Sequence, residues 1–356
     1  MKSDIIDKFC ATQEISVVEA MKKIDNNARG ILFIIDEEQK VIGSLTDGDI
    51  RRWLIKTGEL KKNVLGIMNK DLKFKYLGEE DSALTYMKKY RIKALPIVDT
   101  DKHLVKIIFE SDESKENLFK KNTVLQGVPV IIMAGGKGTR LYPYTKILPK
   151  PLIPIGDIPI VERIIDKFVE FGINSYYMTV NYKKGMIKSY FSELNPQYSV
   201  TYIEENKPLG TAGSLRLIDR KFDKPIIVTN CDILINANYK SIYEYHQKSG
   251  NVMTIVAALK NIIVPYGVLQ TKEQGIVVSM EEKPRLSYFI NTGMYILDPQ
   301  IIELIPKDEF FHMTDLTNVL LKKKFKVGIY PISEESFLDM GEFEEMKKME
   351  DRLNFS

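Results

Sequence analysis

Gly135, Gly136 and Gly138 come directly after the apolar run Val128, Val130, Ile131, Ile132 and Met133, and Arg140 and Lys150 follow them. This combination points to phosphate chemistry. Glycines let the backbone take positive φ and turn successive N–H groups outward, and such an array cradles phosphate oxygens when no side chain intervenes. The guanidinium and ammonium groups add positive charge on the same side. Spacing excludes two well-known glycine loops. A Walker loop needs four residues between Gly and Gly-Lys-Ser/Thr, whereas the order here is Gly136-Lys137-Gly138-Thr139. A dinucleotide loop needs a third glycine for helix packing, and Thr139, Arg140 and Leu141 stand there instead.

The elements that must position this loop are legible around it. The apolar run reads as a strand buried on both faces of a parallel sheet. Ile160, Val161, Ile164, Ile165, Phe168 and Val169 recur at helical spacing and Gly172 supplies a stop, predicting a helix over 158–171. Strands at 176–181, 200–204 and 226–230 then alternate with a helix at 186–194 and a helix start at 213–217. That order predicts a parallel sheet with helices on both faces and ligands at the carboxyl ends of its strands. Past Asn251 the segments VMTIVAAL, YGVLQ, GIVVSM and NTGMYIL read as strands, so a mixed edge or a smaller antiparallel subsheet is expected.

A chain of 356 residues with 44% hydrophobic content supports about two domains. Its formal net charge of +3 is small for that length and argues against a polymeric nucleic-acid partner. The opening MKSDIIDKFC has acids among its apolar residues and no signal-peptide core, and no run approaches the ~18 apolar residues of a membrane span. A soluble cytoplasmic protein without a membrane partner is expected. Cys10 and Cys231 offer neither a disulfide scaffold nor zinc spacing. His103, His246 and His312 show no partner pattern and are assigned to core or surface.

Ahead of the glycine loop the sequence repeats itself. Leu32 to Asp49, LFIIDEEQKVIGSLTDGD, aligns with Leu95 to Asp112, LPIVDTDKHLVKIIFESD, at a constant offset of 63. Each copy runs strand, acidic turn (Asp36, Asp99), strand and helix start, after a helical stretch containing Met-Lys-Lys. Neither copy buries its sheet alone, so two copies of one unit are expected to pair. The segment resembles a tandem pair of cystathionine β-synthase (CBS) domains, expected over residues 1–115. The resemblance implies a site for an adenosine nucleotide on Thr46 and Asp49, with the Asp on the ribose hydroxyls. The alternative is that these two residues simply cap a helix. Copy two has Phe109 for the hydroxyl and Lys106 for the glycine, keeping only Asp112, so at most one competent cleft is expected. Polar residues 116–126 are the expected linker, and the second domain is placed at 127–356.

The loop also fits a longer pattern, Gly136-x-Gly138-Thr139-Arg140-Leu141-x-Pro143-x-Thr145 followed by Pro149-Lys150-Pro151-Leu152. This resembles the signature of the sugar-1-phosphate nucleotidylyltransferases. Pro208-Leu209-Gly210-Thr211-Ala212-Gly213, Asn230-Cys231-Asp232, Glu282-Lys283-Pro284, Asn291-Thr292-Gly293 and Asp339-Met340-Gly341 match further family motifs in order. The resemblance implies an α/β fold with a Rossmann-like mixed sheet, preceded by the α+β CBS pair. It implies Ala134, Gly135, Gly136, Gly138, Thr139 and Gly210 at the nucleotide, and Arg140, Lys150 and Asp232 as catalytic groups. Gly267, Glu282, Lys283 and Asn291 would face the sugar phosphate. Asp232 and Asp339 would hold magnesium, a hard ion suited to carboxylate and phosphate oxygens.

The implied reaction joins a sugar 1-phosphate to a nucleoside triphosphate, releasing pyrophosphate. PLGTAGSL is nearer to the loop of mannose 1-phosphate guanylyltransferases than to that of thymidylyl- and uridylyltransferases, which favours GTP. A CBS pair ahead of such a domain resembles the glucosamine 1-phosphate guanylyltransferases of bacterial legionaminic acid pathways, whose product is GDP-glucosamine. Mannose 1-phosphate with GTP, or glucose 1-phosphate with dTTP or UTP, are the alternatives. A catalytically inactive nucleotide sensor is an alternative of another class, against which the retention of Arg140, Lys150, Asp232 and Asp339 argues. CBS pairs associate through their helices, so a homo-oligomer is expected.

Overall fold

The two copies of the repeat fold alike in backbone detail. In the computed structural model, which describes residues 8–27, 29–60, 63–110 and 124–353, strands β1 (Cys10–Thr12), β2 (Ile31–Ile35) and β3 (Val41–Thr46) form one sheet. Here β1 runs parallel and β3 antiparallel to β2. Strands β4 (Lys75–Tyr76), β5 (Ala94–Val98) and β6 (Leu104–Phe109) form a second sheet with the same senses. Ile31 faces Thr46 as Ala94 faces Phe109, and a bulge falls at Ile34/Ile35 in one copy and Ile97/Val98 in the other. The Asp36 and Asp99 carboxylates accept from the backbone N–H of Lys40 and His103, each at 2.9 Å. The offset read in the sequence recurs in each pair.

Helix α1 (Val17–Asn26) opens on a capping box from Ser16 and Glu19 and buries Val17, Ala20, Met21 and Ile24. Helix α2 (Asp47–Thr57) follows β3, and α3 (Ala83–Tyr90) precedes β5. Thr46 and Asp49 cap α2. The Asp49 carboxylate accepts from the Thr46 backbone N–H at 2.9 Å and its hydroxyl at 2.6 Å, while the Thr46 oxygen accepts from Asp49 N–H at 3.2 Å. In the second copy Phe109 is buried with its ring 5.3 Å from that of Phe9, and Lys106 pairs with Glu80 at 2.9 Å. Asp112 and most of the expected linker, 116–123, lie outside the described residues.

The chain divides into two compact units. The first holds the described residues up to 110 together with Leu259–Phe289 and Ser333–Glu335; the second holds 124–258, Ile290–Ile332 and those from 336 on. This differs from a single cut at 127. Leu259 and Phe289 share an apolar cluster with Val17, Met21 and Leu54, and Arg285 Nη1 donates to Glu19 Oε1 at 2.8 Å. An arm of the later sequence thereby belongs to the first unit.

The second unit opens with β7 (Val130–Ala134), then β8 (Pro154–Ile155) and β9 (Ile158–Pro159), which pair antiparallel. Helix α4 (Ile160–Val169), β10 (Ser175–Val180), α5 (Lys184–Leu194), β11 (Ser199–Glu204) and β12 (Ile226–Asn230) follow. Next come β13 (Ile233–Ile235), α6 (Tyr239–Ser249) and β14 (Met253–Ile263). The arm strands β15 (Val268–Thr271) and β16 (Val277–Glu281) lead into β17 (Arg285–Leu297). The chain closes with α7 (Met313–Lys322), β18 (Val327–Ser333), β19 (Phe337–Asp339) and α8 (Phe343–Leu353).

The main sheet runs β11-β10-β7-β12-β17-β14-β18. Its first four strands are mutually parallel and β17 is antiparallel to β12, so the sheet is mixed. Alternate residues of β7 serve opposite layers, as a strand of period two must. Val130, Ile132 and Ala134 join Ile164, Phe168 and Ile242 of α4 and α6, whereas Ile131 and Met133 join Leu316 and Leu320 of α7. Each of the fully buried Val, Ile, Leu and Phe side chains among these contributes about 1.5–3 kcal/mol. The helix expected to start at 213–217 is present but short, an α-helical turn over Gly210–Gly213 running into a 3-10 turn over Ser214–Leu217. Phe311 O accepts from the N–H groups of Ala212 (2.9 Å) and Gly213 (3.0 Å), drawing those donors to a distant segment. Among the described residues no helix is long and apolar enough to cross a membrane.

Candidate active site

The chain passes from β7 to β10 and β11 on one side and returns to β12 on the other, so the strand order reverses between β7 and β12. Such a switch point opens a crevice at the carboxyl ends of the two strands. Met133 faces Asn230 across the ladder, and Gly135 and Asp232 leave the sheet side by side. Ala134 is buried, whereas Gly136, Thr139 and Arg140 are exposed. Gly138 has φ 65°, and a β-carbon there would stand 2.9 Å from Thr145 Cγ2 and 3.0 Å from Lys150 Cβ. Only glycine lets the loop close this tightly over Lys150.

Lys150 sits in the turn Lys150–Leu152 and is buried. Its ammonium contacts the Asp232 carboxylate. A second, small ladder brings in the other acid: β13 pairs antiparallel with β19, Ile233 faces Asp339, and Met340 N–H donates to Asp232 O at 2.9 Å. Asp232, Asp339 and Arg140 therefore line one cavity of about 190 Å³. Burial pushes the Asp339 carboxyl above its ordinary value and the Asp232 charge pushes it further; Lys150, the Gly341 N–H and Arg140 oppose both. The neighbouring Asp232 and Asp339 carboxylates, the first ion-paired with Lys150, make an oxygen donor set that a hard divalent cation fits, with phosphate oxygens and water completing its shell.

Asn230 and Asn291 line the same cavity. Gly293 has φ 88°, and a β-carbon there would stand 2.5 Å from Asn230 Nδ2, so Asn230 lies directly over bare backbone. Asn291 Nδ2 donates to the Tyr295 hydroxyl at 2.7 Å while its Oδ1 accepts from Gly293 N–H at 3.0 Å. Gly210, with φ 77°, is held by packing: a β-carbon there would stand 2.6 Å from Phe311 O. Gly267, Glu282 and Lys283 are exposed on the arm of the first unit and are not among the lining residues.

Asn230 and Thr211 stand in motifs quoted from the sequence but carry no assigned role there, and Glu205 escapes the sequence reading altogether. Thr211 Oγ1 accepts from Met313 N–H at 3.0 Å and lines the cavity. Glu205 is only 6% exposed, and a β-carbon on Gly135 would stand 2.4 Å from its Oε1. Its Oε2 accepts from Leu209 N–H at 3.3 Å, and burial pushes its carboxyl above the ordinary range. The available signal was an acid ending a strand just before Pro208-Leu209-Gly210.

A family model described as "Nucleotidyl transferase" matches residues 129–353, and one described as "CBS domain" matches residues 1–56. The chain is similar to a mannose-1-phosphate guanyltransferase of Debaryomyces hansenii, 35% identical over 184 residues, which are 49% of this chain and 51% of that protein. Its likeness to the mannose-1-phosphate guanyltransferase of Saccharomyces cerevisiae is 30% over 222 residues, 60% of this chain and 61% of that one. The match to the first of these relatives spans about half their length. Among solved structures, HddC from Yersinia pseudotuberculosis superposes with a TM-score of 0.51 and 28% identity, covering 64% of this chain and 99% of that one.

Proposed function

Because this chain belongs to the nucleotidyl transferase family, we propose that it transfers a nucleoside monophosphate from a triphosphate, GTP, to a sugar 1-phosphate. The observation that carries the reading is Lys150 joined to Asp232, with Asp339 across the ladder, at the β7–β12 switch point. An oxygen of the sugar phosphate forms a bond to the α-phosphorus, the bond to the bridging oxygen breaks, and pyrophosphate leaves with the electron pair. No protein nucleophile is needed. Two polyanions must be aligned against their repulsion, so positioning and charge neutralisation supply the catalysis. N–H groups of Ala134–Thr139 cradle the triphosphate, Arg140 takes the departing phosphates bidentately, and Lys150 serves the α-phosphate. Asp232 and Asp339 would hold magnesium, which supplies Lewis-acid neutralisation of phosphate charge.

Guanine is favoured on two grounds. The curated relatives are guanyltransferases by name, and the buried Glu205 carboxylate beside Gly135 is a paired acceptor matching the two adjacent donors on guanine's edge. For the sugar, the CBS-plus-guanylyltransferase arrangement favours glucosamine 1-phosphate, giving a GDP-sugar for surface glycan synthesis in the cytoplasm. Mannose 1-phosphate is the competitor. Pyrophosphate release with GTP, UTP, dTTP and CTP against glucosamine, mannose and glucose 1-phosphates decides both points. GTP with glucosamine 1-phosphate should turn over fastest. A UTP or dTTP preference would overturn the base, a mannose preference the sugar, and tight nucleotide binding without turnover the enzyme itself.

The CBS pair, taken as residues 1–115 with a linker at 116–126, is assigned a regulatory nucleotide site on Thr46 and Asp49 of the first copy. Occupancy would have to exchange part of the α2 cap for contacts to ribose, and would alter rate only by binding two states of the enzyme unequally.

A further inference from the structure

The short helical turn Tyr144–Ile147 stands between Arg140 and Lys150, with Pro143 before it and Pro149 close behind. Its first carbonyl, Tyr144 O, accepts from Leu148 N–H at 3.0 Å. The next three lie at a helix end and have no helical N–H to accept from. All three are met from one place. The Tyr182 hydroxyl donates to Thr145 O at 3.0 Å, and the Lys183 ammonium donates to Lys146 O at 2.5 Å and to Ile147 O at 2.7 Å. A cation suits the negative end of a helical turn.

Tyr182 and Lys183 lie between β10 and α5, and the ammonium stands 5.4 Å over the Tyr182 ring. Lys183 has φ 52°, in the left-handed region that a residue with a side chain keeps only where its surroundings fix it. The lysines that follow it behave differently. Lys184 and Lys188 both pair with Glu204, whereas among the described residues Lys183 pairs with no carboxylate. The clamped turn also supports the glycine loop, because Thr145 Cγ2 is the atom that a β-carbon on Gly138 would strike first. Asn181, next to Tyr182, donates from Nδ2 to Glu205 O at 2.8 Å.

We infer that Lys183, with Tyr182, is a positioning residue for nucleotidyl transfer: it holds the carbonyls of Thr145–Ile147 and so fixes where Lys150 presents its ammonium. This rests on the assignment of Lys150 to the α-phosphate under the proposed function. The link from clamp to Lys150 is only Leu148 and Pro149, and it is stiff. A residue before proline is confined to extended backbone, and proline fixes its own φ; Leu148 has φ -103° and ψ 142°, and Pro149 has φ -66°. A shift of the turn is therefore carried to Lys150 instead of being absorbed on the way.

Steady-state kinetics and hydrogen exchange on the full chain test this. Lys183→Met should lower kcat by about tenfold to a hundredfold, the scale on which misplacing a reacting group costs, with KM for the sugar 1-phosphate nearly unchanged. Lys183→Arg, whose guanidinium can still donate to two carbonyls, should recover most of that loss. In a double-substitution cycle Lys183→Met should add almost nothing to Lys150→Met, since both remove the same placed ammonium. Without substrate, the amides of Leu148, Leu152 and Ile153 should exchange faster in Lys183→Met while those of β10 keep their wild-type rates. An unchanged kcat, losses that add in the cycle, or unchanged exchange at those three amides each overturn the inference. If wild type releases no pyrophosphate with any triphosphate, the transferase reading fails, and the exchange comparison decides the clamp by itself.

Discussion

Lys150 and Asp232, 82 residues apart in sequence, meet as an ion pair whose side chains are only 11% and 13% exposed. Asp339 stands across the ladder from Ile233, and its carboxyl is destabilised first by burial and then by the Asp232 charge, with Lys150 and Arg140 opposing both. Two acids and two cations thus share one site, a charge set that a divalent cation and a triphosphate bound together would use.

Removing members of this set should separate catalysis from stability. Asp232→Asn and Asp339→Asn should each lower pyrophosphate release by roughly two to three orders of magnitude, the size of other preorganised electrostatic contributions. Lys150→Met should also destabilise the second unit, by about 3 kcal/mol, since it strands a nearly buried charge. Thermal melts with and without magnesium are the check: added cation should recover part of the Lys150→Met loss. Near-normal turnover in Asp232→Asn would remove the metal assignment.

Glu205→Gln should blunt guanine selectivity. At the proposed base contact it would replace one acceptor by a donor, at a cost of about 1–3 kcal/mol, or roughly tenfold to a hundredfold in kcat/KM for GTP. Inosine triphosphate, lacking the exocyclic amine, should be a poorer substrate than GTP for wild type and nearly equal to it for Glu205→Gln. Equal loss with every base would make Glu205 a support for the Gly135 loop instead.

In the first unit, Asp49→Ala should cost about 1 kcal/mol through loss of the α2 cap. If the same carboxylate also serves a nucleotide, the substitution should abolish any effect of ADP or ATP on turnover. Persistence of that effect, measured in pyrophosphate release, would leave Asp49 with the cap alone.

His246 is buried between Thr254 at 2.9 Å and Asp298 at 3.2 Å, and burial pushes its imidazole below its ordinary value despite the carboxylate. A depressed native value means the unfolded chain takes the proton first. The stabilisation is complete above the ordinary histidine value of about pH 6.5 and is lost as pH falls from there through the depressed one. Melting temperature should drop across that window, and His246→Asn should flatten the slope while lowering stability at neutral pH.

Local patterns carried much of this architecture into the sequence. The apolar run of β7 lies in the centre of the sheet, the spacing of Ile160 to Phe168 becomes the buried face of α4, and the repeat offset survives in bulges and turns. Each depends on neighbours within a few residues, where period and turn chemistry act directly. The stretch at 213–217 shows the limit: its helical start is legible, but its docking is set by Phe311, about a hundred residues away, whose carbonyl accepts from the first-turn N–H groups of Ala212 and Gly213.

By itself, then, the sequence determined a glycine loop after a buried strand, cations following it, a β-β-α repeat and a set of motifs in order. Tertiary structure decided which charges meet. Asp232 and Asp339 are neighbours because β13 pairs with β19, Glu205 faces the loop because Gly135 has no side chain, and the 259–289 arm joins the first unit through Leu259 and Phe289. Those relations depend on pairing and burial between segments distant in sequence, which no local period records.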